Sequence, residues 1–265
     1  MKFTRGSLIT ATLLASLALT GCGGDATEGG TDEGRPADPK AAMAASTNGL
    51  KEGNYAFTAK TPDTDTSGAM HLPSKSAGME LNTKSEDGDL KMEIRLIDPD
   101  RWMKMTMDTS SFESMDDIDT SDPQMAKLAE QMKQMTEMFS GKHWMHVDLS
   151  KAKGGMAKDL GIDATKGDMT GLTALIGGVA TAEGDGKTIT GTLDATKVTE
   201  DTGMIDTDEI KSMGATASAL PYTATLDDKG RITTLELDVP KAGDTPAGKW
   251  TINVTGYGEQ KAQET

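Results

Sequence analysis

The feature that most constrains this chain is a series of short segments in which apolar residues occupy every second position. The clearest examples are residues 90–96 and 103–107, where Leu, Ile and Met alternate with charged or polar residues. A period of two places the apolar side chains on one face of a β-strand and the polar ones on the other. Clusters of Pro, Gly, Ser and Asp separate the segments and are typical of hairpin turns. The sequence therefore predicts an antiparallel meander with one buried face.

Helical periodicity interrupts this pattern. The dipeptide Asp122-Pro123 is expected to open a helix with one apolar stripe, formed by Met125, Leu128, Met132, Met135 and Phe139. Further helical patterns cover residues 169–179 and 206–220, and a short helix is expected within residues 38–50. We therefore expect an α+β fold in which a strongly curved antiparallel sheet packs its apolar face against helices.

The N-terminal segment has the pattern of a bacterial lipoprotein signal. A basic start precedes an apolar stretch that ends in the tetrapeptide Leu19–Cys22, with the sequence LTGC. Cleavage before a lipid-modified cysteine requires a small residue before it and an aliphatic residue three positions before it. We expect cleavage before Cys22, whose sulfur would carry diacylglycerol, because two acyl chains hold a protein stably on a membrane. The alternative, a transmembrane anchor at residues 8–20, has only 13 residues where about 20 are needed.

These features divide the chain into a signal peptide at residues 1–21, a lipidated tether at 22–38, a single domain at 39–260 and a C-terminal tail at 261–265. The tether is rich in Gly and acidic residues and has too few apolar residues to order itself. As a flexible coil it would hold the domain roughly 20–25 Å from the membrane. Cys22 is the only cysteine, so we expect no disulfide, thiolate metal site or cysteine nucleophile in the domain.

Composition limits the partners that this chain can bind. Removal of residues 1–21 takes away two basic side chains, which leaves 25 basic and 42 acidic side chains in the mature chain. Nucleic acid is therefore not an expected partner, because a polyanion gains affinity through contacts with Lys and Arg. The chain also has 18 Met but only 10 aromatic residues. Methionine fills irregular space and tolerates repacking, which suits a variable apolar guest.

The chain resembles the LppX/LprG-type (LppX_LprAFG) family of actinobacterial envelope lipoproteins, which share a LolA-like fold. Besides the tetrapeptide at Leu19–Cys22, the similar segments are WMHVDLSK at 144–151, GDGKTITGT at 184–192, LPY at 220–222, LDDKGR at 226–231 and INVTGYG at 252–258. The resemblance implies an open half-barrel with helices on its concave apolar face. It also implies that the apolar cavity binds an acylated lipid or glycolipid. The many Met and few aromatics depart from the family pattern.

The resemblance and the bias toward Met together indicate which residues would line such a cavity. The candidates lie on the alternating strands and on two of the helical stripes. They are Met70, Leu72, Met79, Leu81, Leu90, Met92, Ile94, Leu96, Met103, Met105, Met107, Leu128, Met132, Met135, Leu172 and Ile176. The competing interpretation is a dry core, because any half-buried sheet shows the same alternation.

Other chemistry has weak support in the sequence. His143, Met145 and His146 carry ligand types that suit Cu(I), but alternation on a strand would place His146 on the face opposite His143 and Met145. The motifs of nucleophilic hydrolases, zinc proteases and phosphate-binding loops do not occur. We therefore expect a non-enzymatic protein without a cofactor or a metal.

The sequence thus favours a lipid-anchored protein on the extracytoplasmic face of a bacterial cell membrane. It would attach to the membrane through Cys22 and act as a carrier or chaperone in envelope lipid transport. The alternative is a non-enzymatic envelope sensor or adhesion lipoprotein with a filled core. Organic extraction and mass spectrometry of protein purified without its signal would separate the two.

Overall fold

The computed structural model describes residue 36 and residues 38–84, 88–107, 121–148, 166–198, 212–242 and 246–263. The predicted lipid-attachment residue Cys22 lies outside them. The helices are α1 (Pro39–Ser46), α2 (Asn48–Lys51), α3 (Pro123–Met138) and α4 (Leu172–Gly177). The strands are β1 (Asn54–Lys60), β2 (Thr64–His71), β3 (Ser76–Thr83), β4 (Leu90–Ile97), β5 (Asp100–Met107), β6 (Met145–His146), β7 (Val179–Gly184), β8 (Thr188–Leu193), β9 (Leu220–Leu226), β10 (Ile232–Val239) and β11 (Gly248–Thr255).

The strands form one antiparallel sheet of 11 strands in the order β6-β5-β4-β3-β2-β1-β11-β10-β9-β8-β7. Most neighbours are consecutive in the chain, as expected for a meander. The exception is the central pair β1 and β11, which joins the two ends of the described domain. Because β6 and β7 are the two outer strands, the sheet is not closed into a barrel. The predicted antiparallel α+β architecture is confirmed at this level.

Sequence alternation and strand register together put the core on one face of the sheet. Tyr55 lies opposite Met70, and Phe57 lies opposite Val254, and all four side chains are buried. One contiguous apolar cluster includes residues of α1, α4 and strands β1 to β4 and β7 to β11. Burial of this apolar surface is the main stabilising contribution, since the described domain contains no cysteine.

Two helix starts follow the predicted capping chemistry. The carboxylate of Asp38 accepts a hydrogen bond from the Ala41 backbone N–H at 2.7 Å, directly before Pro39. Asp122 accepts from the Gln124 N–H at 2.7 Å and begins α3 in the same way. A capping carboxylate satisfies backbone donors that have no partner inside the helix, and Pro at the first position loses no hydrogen bond.

Several predicted elements have different bounds in the structure. The helix expected at 169–179 is reduced to α4, because Gly171 adopts a positive φ of 74° before it and a glycine pair ends it. Val179 then begins β7 instead of ending a helix. Leu72 belongs to a 3-10 turn and not to a strand. Of the helix expected at 206–220, residues up to 211 lie outside the described residues, and Gly214–Ala219 forms a 3-10 helix.

Candidate functional site

The register of β3 to β6 aligns the predicted cavity residues in rows across one face of the sheet. Met79, Ile94 and Met103 occupy consecutive paired positions, and Met145 of β6 continues that row. We call this surface the methionine face. It comprises Met79, Leu81, Leu90, Met92, Ile94, Leu96, Met103, Met105, Met107 and Met145.

Burial of the methionine face decreases along the strands. In the row of Met79, Ile94 and Met103 the exposed fractions are 8%, 6% and 7%. The next rows, formed by Leu81, Met92 and Met105 and by Leu90 and Met107, are only half-buried. The face therefore has a covered end and a less covered end.

Helix α3 presents apolar side chains to solvent. None of its residues is buried, and Met125, Leu128, Met135 and Met138 have exposed fractions of 39%, 44%, 46% and 44%. The half-buried positions are mostly small or short residues, namely Ala126, Ala129 and Thr136, together with Met132. This arrangement is the reverse of a helix packed by its large apolar residues against a core.

The C-terminal end of α3 is fixed to the less covered end of the methionine face. The Met107 N–H donates to the Phe139 carbonyl at 3.1 Å, and Thr106 forms a bridge with Ser140. The chain then continues into β6, which pairs with β5. The exposed stripe of α3 and the half-buried rows of the face are thus joined through the last two residues of β5.

The predicted site residues divide into two groups. Met70, Leu172 and Ile176 belong to the buried core cluster, and Leu72 packs against it. Met79, Ile94 and Leu96 also belong to this cluster, whereas Met103 is buried but is not part of it. The candidates on β5 and on α3 therefore lie outside the main core cluster, while those of α4 contribute to the core itself.

The chain matches no protein-family model and no curated protein.

A small apolar cavity lies in the half of the sheet that does not carry the methionine face. Its volume is about 40 Å³. Its lining includes Leu175, Ala195, Met213, Leu220, Leu237, Trp250 and Ile252. Such a space can hold an isolated small molecule such as water, whereas ligand pockets are typically about 300–1,000 Å³. An open groove of about 330 Å³ is lined mostly by polar residue types, with Thr58, Ser67, Asn82 and Asn253 among them.

The face opposite the methionine face carries charged and aromatic side chains. Trp144 lies under the Arg95 guanidinium, whose Cζ is 4.4 Å from the ring centroid, and Lys104 is 5.0 Å from the same ring. His146 pairs with Asp100 at 2.9 Å and lies opposite Trp102, whereas Met145 lies opposite Met103. The predicted placement of His146 and Met145 on opposite faces is confirmed. No group of three or more potential metal-ligating His, Cys, Asp or Glu side chains occurs among the described residues.

The buried tyrosines hold the fold together through neutral hydroxyl groups. Tyr55 donates to the Gly167 carbonyl at 3.0 Å and accepts from the Met169 N–H at 2.8 Å. Burial, together with the nearby charge of Asp168, raises the pKa of Tyr55 far above its ordinary value. Burial raises the pKa of Tyr222 to about 12. These groups stay protonated at physiological pH and serve as structural donors.

Sequence reasoning missed one polar residue on the methionine face. Arg101 lies opposite Leu96, which places its side chain on the same face as Met103 and Met105. The sequence does contain a sign of this placement, because the alternation of residues 103–107 extends back by two positions to residue 101.

The described helices include none that is both long enough and apolar enough to cross a membrane.

Proposed function

We propose that this chain is an envelope lipoprotein of the LppX/LprG type that binds an acylated lipid or glycolipid and carries or chaperones it during envelope lipid transport. The ligand would lie between the methionine face and α3, within a sheet curved into an open half-barrel with helices on its concave face. The protein would be held at the extracytoplasmic face of the cell membrane by acylated Cys22.

The observation that carries this proposal is apolar surface that the protein itself leaves uncovered. Full burial of a Leu or Met side chain is worth roughly 1.5–3 kcal/mol, so each exposed residue of the α3 stripe forgoes about 1 kcal/mol. Leu81, Met92, Met105 and Met107 on the adjoining sheet surface are only half-buried. An acyl chain would cover both surfaces at once, and each buried methylene would contribute about 0.8 kcal/mol.

The composition of the two surfaces supports a ligand with loose specificity. Methionine side chains are unbranched and adjust to irregular shapes, so a surface built from them can follow acyl chains of different length. The methionine face is built mainly from apolar side chains, so selection among acyl chains would depend mainly on apolar volume. This property suits a carrier better than an enzyme, which must position one bond.

A second candidate function, an envelope sensor or adhesion protein with a filled core, is favoured by a different observation. The buried core cluster is contiguous and reaches Met79, Ile94 and Leu96, which are also residues of the methionine face. Under this alternative the covered end of the face would be ordinary packing. The α3 stripe would then contact a protein partner rather than a lipid.

Organic extraction of the purified full-length chain separates the two candidates. We expect a noncovalently bound lipid near one per chain, identified by mass spectrometry, while the lipid on Cys22 stays with the protein. Met105→Trp should reduce this amount because it enlarges a side chain on the proposed binding surface, and Met105→Leu, which conserves volume, should leave it unchanged. Absence of extractable lipid from the parent chain would contradict the carrier function and favour the filled-core alternative.

A further inference from the structure

Arg101 places a charged group at one end of the methionine face. It lies opposite Leu96, which lies opposite Ala77, and both of these apolar residues are 1% exposed. The Arg101 carbonyl accepts the Val147 N–H at 2.8 Å, so β5 and the chain beyond β6 remain paired there. Two positions along β5 toward α3, Met103 continues the same face.

Two nitrogens of this guanidinium are buried without a hydrogen-bond partner among the described residues. Nε and Nη1 of Arg101 are both inaccessible to solvent, and within the described part of the chain neither has a hydrogen-bond acceptor. The residue as a whole is only partly buried. Burial of an unpaired charge costs free energy, and unsatisfied buried donors are rare in folded proteins.

The carboxylates nearest in sequence are engaged elsewhere. Asp100 points to the opposite face, where its Oδ1 lies 2.9 Å from Nε2 of His146. Asp98 pairs with Lys75 at 3.4 Å. Neither of these two side chains therefore pairs with Arg101.

We propose that Arg101 binds the anionic head group of the lipid whose acyl chain lies along the methionine face. The ligand class is therefore a lipid with a phosphate or a carboxylate, since a planar guanidinium binds either group with paired hydrogen bonds. At about 3.4 Å per residue, Met103 is about 7 Å and Met107 about 20 Å along the strand from Arg101. A lipid whose head group reaches Arg101 would therefore place the far end of its acyl chain at the half-buried rows of Met105 and Met107, beyond the packed row of Met103.

This inference rests on the proposed lipid-binding function, and three probes with one chain length test it. Hexadecyl phosphate, palmitate and hexadecanol are offered separately to the full-length chain in nonionic detergent micelles, at alkaline pH where both acids are ionised. Probe bound per chain is measured after gel filtration. We expect the amount of each anion bound per chain to exceed that of the alcohol by about tenfold or more. Hydrogen bonds between charged groups are stronger than those between neutral groups. The better-bound anion identifies the head group.

Substitutions assign the effect to one side chain. Arg101→Gln should reduce binding of the anions to the level of the alcohol, while Arg101→Lys, which keeps the charge but not the planar fork, should retain part of the difference. Arg95→Gln is the matched control, because Arg95 lies on the neighbouring strand but on the opposite face. It should leave discrimination between the probes unchanged.

The outcomes that overturn the inference differ from those that overturn the proposed function. If the parent chain binds hexadecanol as well as it binds the anions, the role of Arg101 is wrong while lipid binding stands. If it binds none of the three probes, both are wrong. An independent test is the Tm of lipid-free Arg101→Met, which should equal or exceed that of the parent because an unpaired buried charge is removed. A clear fall in Tm would show that the guanidinium already has a partner, and would overturn the inference.

Discussion

Met103 and Met105 lie two residues apart on the same face of β5, yet Met103 is 7% exposed and Met105 is only half-buried. The partner of Met103 across the strand pair, Ile94, is buried, whereas the partner of Met105, Met92, is half-buried. The boundary between packed and uncovered apolar surface therefore passes between these two methionines. Strand β5 thus carries one methionine in packed surroundings and one in half-exposed surroundings. Variants of Met103 and Met105 can therefore test the proposed binding surface directly.

Replacement of each methionine by Trp should have opposite consequences. Met103→Trp overpacks a filled position and should lower the free energy of unfolding by about 1–3 kcal/mol. Met105→Trp enlarges a half-buried side chain whose partner Met92 is also half-buried, and should cost under about 0.5 kcal/mol, as at a loosely packed site. Urea unfolding of both variants measures the difference. Equal, large destabilisation would mean that the whole face is a packed core.

The exposed stripe of α3 should matter for lipid retention more than for stability. Leu128→Ser and Met135→Ser replace side chains that are 44% and 46% exposed, so each should change the free energy of unfolding by no more than about 0.5 kcal/mol. Both should lower the amount of lipid that co-purifies. Leu172→Ala provides the contrast, because this fully buried side chain of α4 should cost about 2–5 kcal/mol. A comparable loss of stability from the α3 variants would show that the stripe is packed in solution.

The regular part of the fold was predictable because period-two alternation needs no tertiary information. Strands β3, β4 and β5 follow it, and the capping pairs at α1 and α3 are local signals as well. Strand β7, with the sequence VATAEG, has no clear alternation because it is an outer strand with mainly exposed positions. The expected helix at 169–179 was too long because the positive φ of Gly171 is a backbone property that apolar periodicity does not report.

The sequence predicts which residues share a face in the candidate site, but it does not predict how those faces are covered. Periodicity identifies which residues share a face of a strand or a helix, but it does not determine what covers that face. Leu128 and Leu172 have similar positions in helical stripes, yet the first is 44% exposed and the second is fully buried. Arg101 keeps the two-residue spacing of Met103 and Met105, but a search for apolar periodicity does not identify a charged residue.

Membrane attachment should depend on one thiol. Cys22→Ser removes the only cysteine, so no diacylglycerol can be added, and the protein should lose stable membrane retention and remain as an uncleaved or soluble species. Fractionation of cells followed by detection of the chain in the membrane and soluble fractions measures this. Thr20→Ser, which leaves both residues required for cleavage in place, is the control and should fractionate as the parent does. Persistent detergent-sensitive attachment of the Cys22→Ser variant would contradict lipid anchoring.

The hairpin between β9 and β10 should make stability depend on acidity through Asp227. Its carboxylate accepts from the Lys229 and Arg231 N–H groups and pairs with the Arg231 guanidinium at 2.7 Å. Burial acts to raise the pKa of Asp227, but these hydrogen bonds and the Arg231 charge lower the pKa on balance below its ordinary value of 3.8. Because the folded-state pKa is below the unfolded one, the stabilisation is complete above the unfolded pKa and is lost as pH falls through the folded pKa.

Asp227→Asn should therefore lower Tm at neutral pH and have a smaller effect in strong acid. The amide keeps an acceptor for the backbone donors but loses the charge that pairs with Arg231, which we expect to cost about 1 kcal/mol, or roughly 2–4 °C in Tm for a domain of this size. Asp228→Asn is the matched control, since Asp228 is 86% exposed and its ion pair with Lys187 should contribute little at any pH. Thermal unfolding of the parent and both variants across the acid range gives the comparison. A difference between parent and Asp227→Asn that stays constant down to strongly acidic pH would show that the ionised carboxylate does not stabilise this turn.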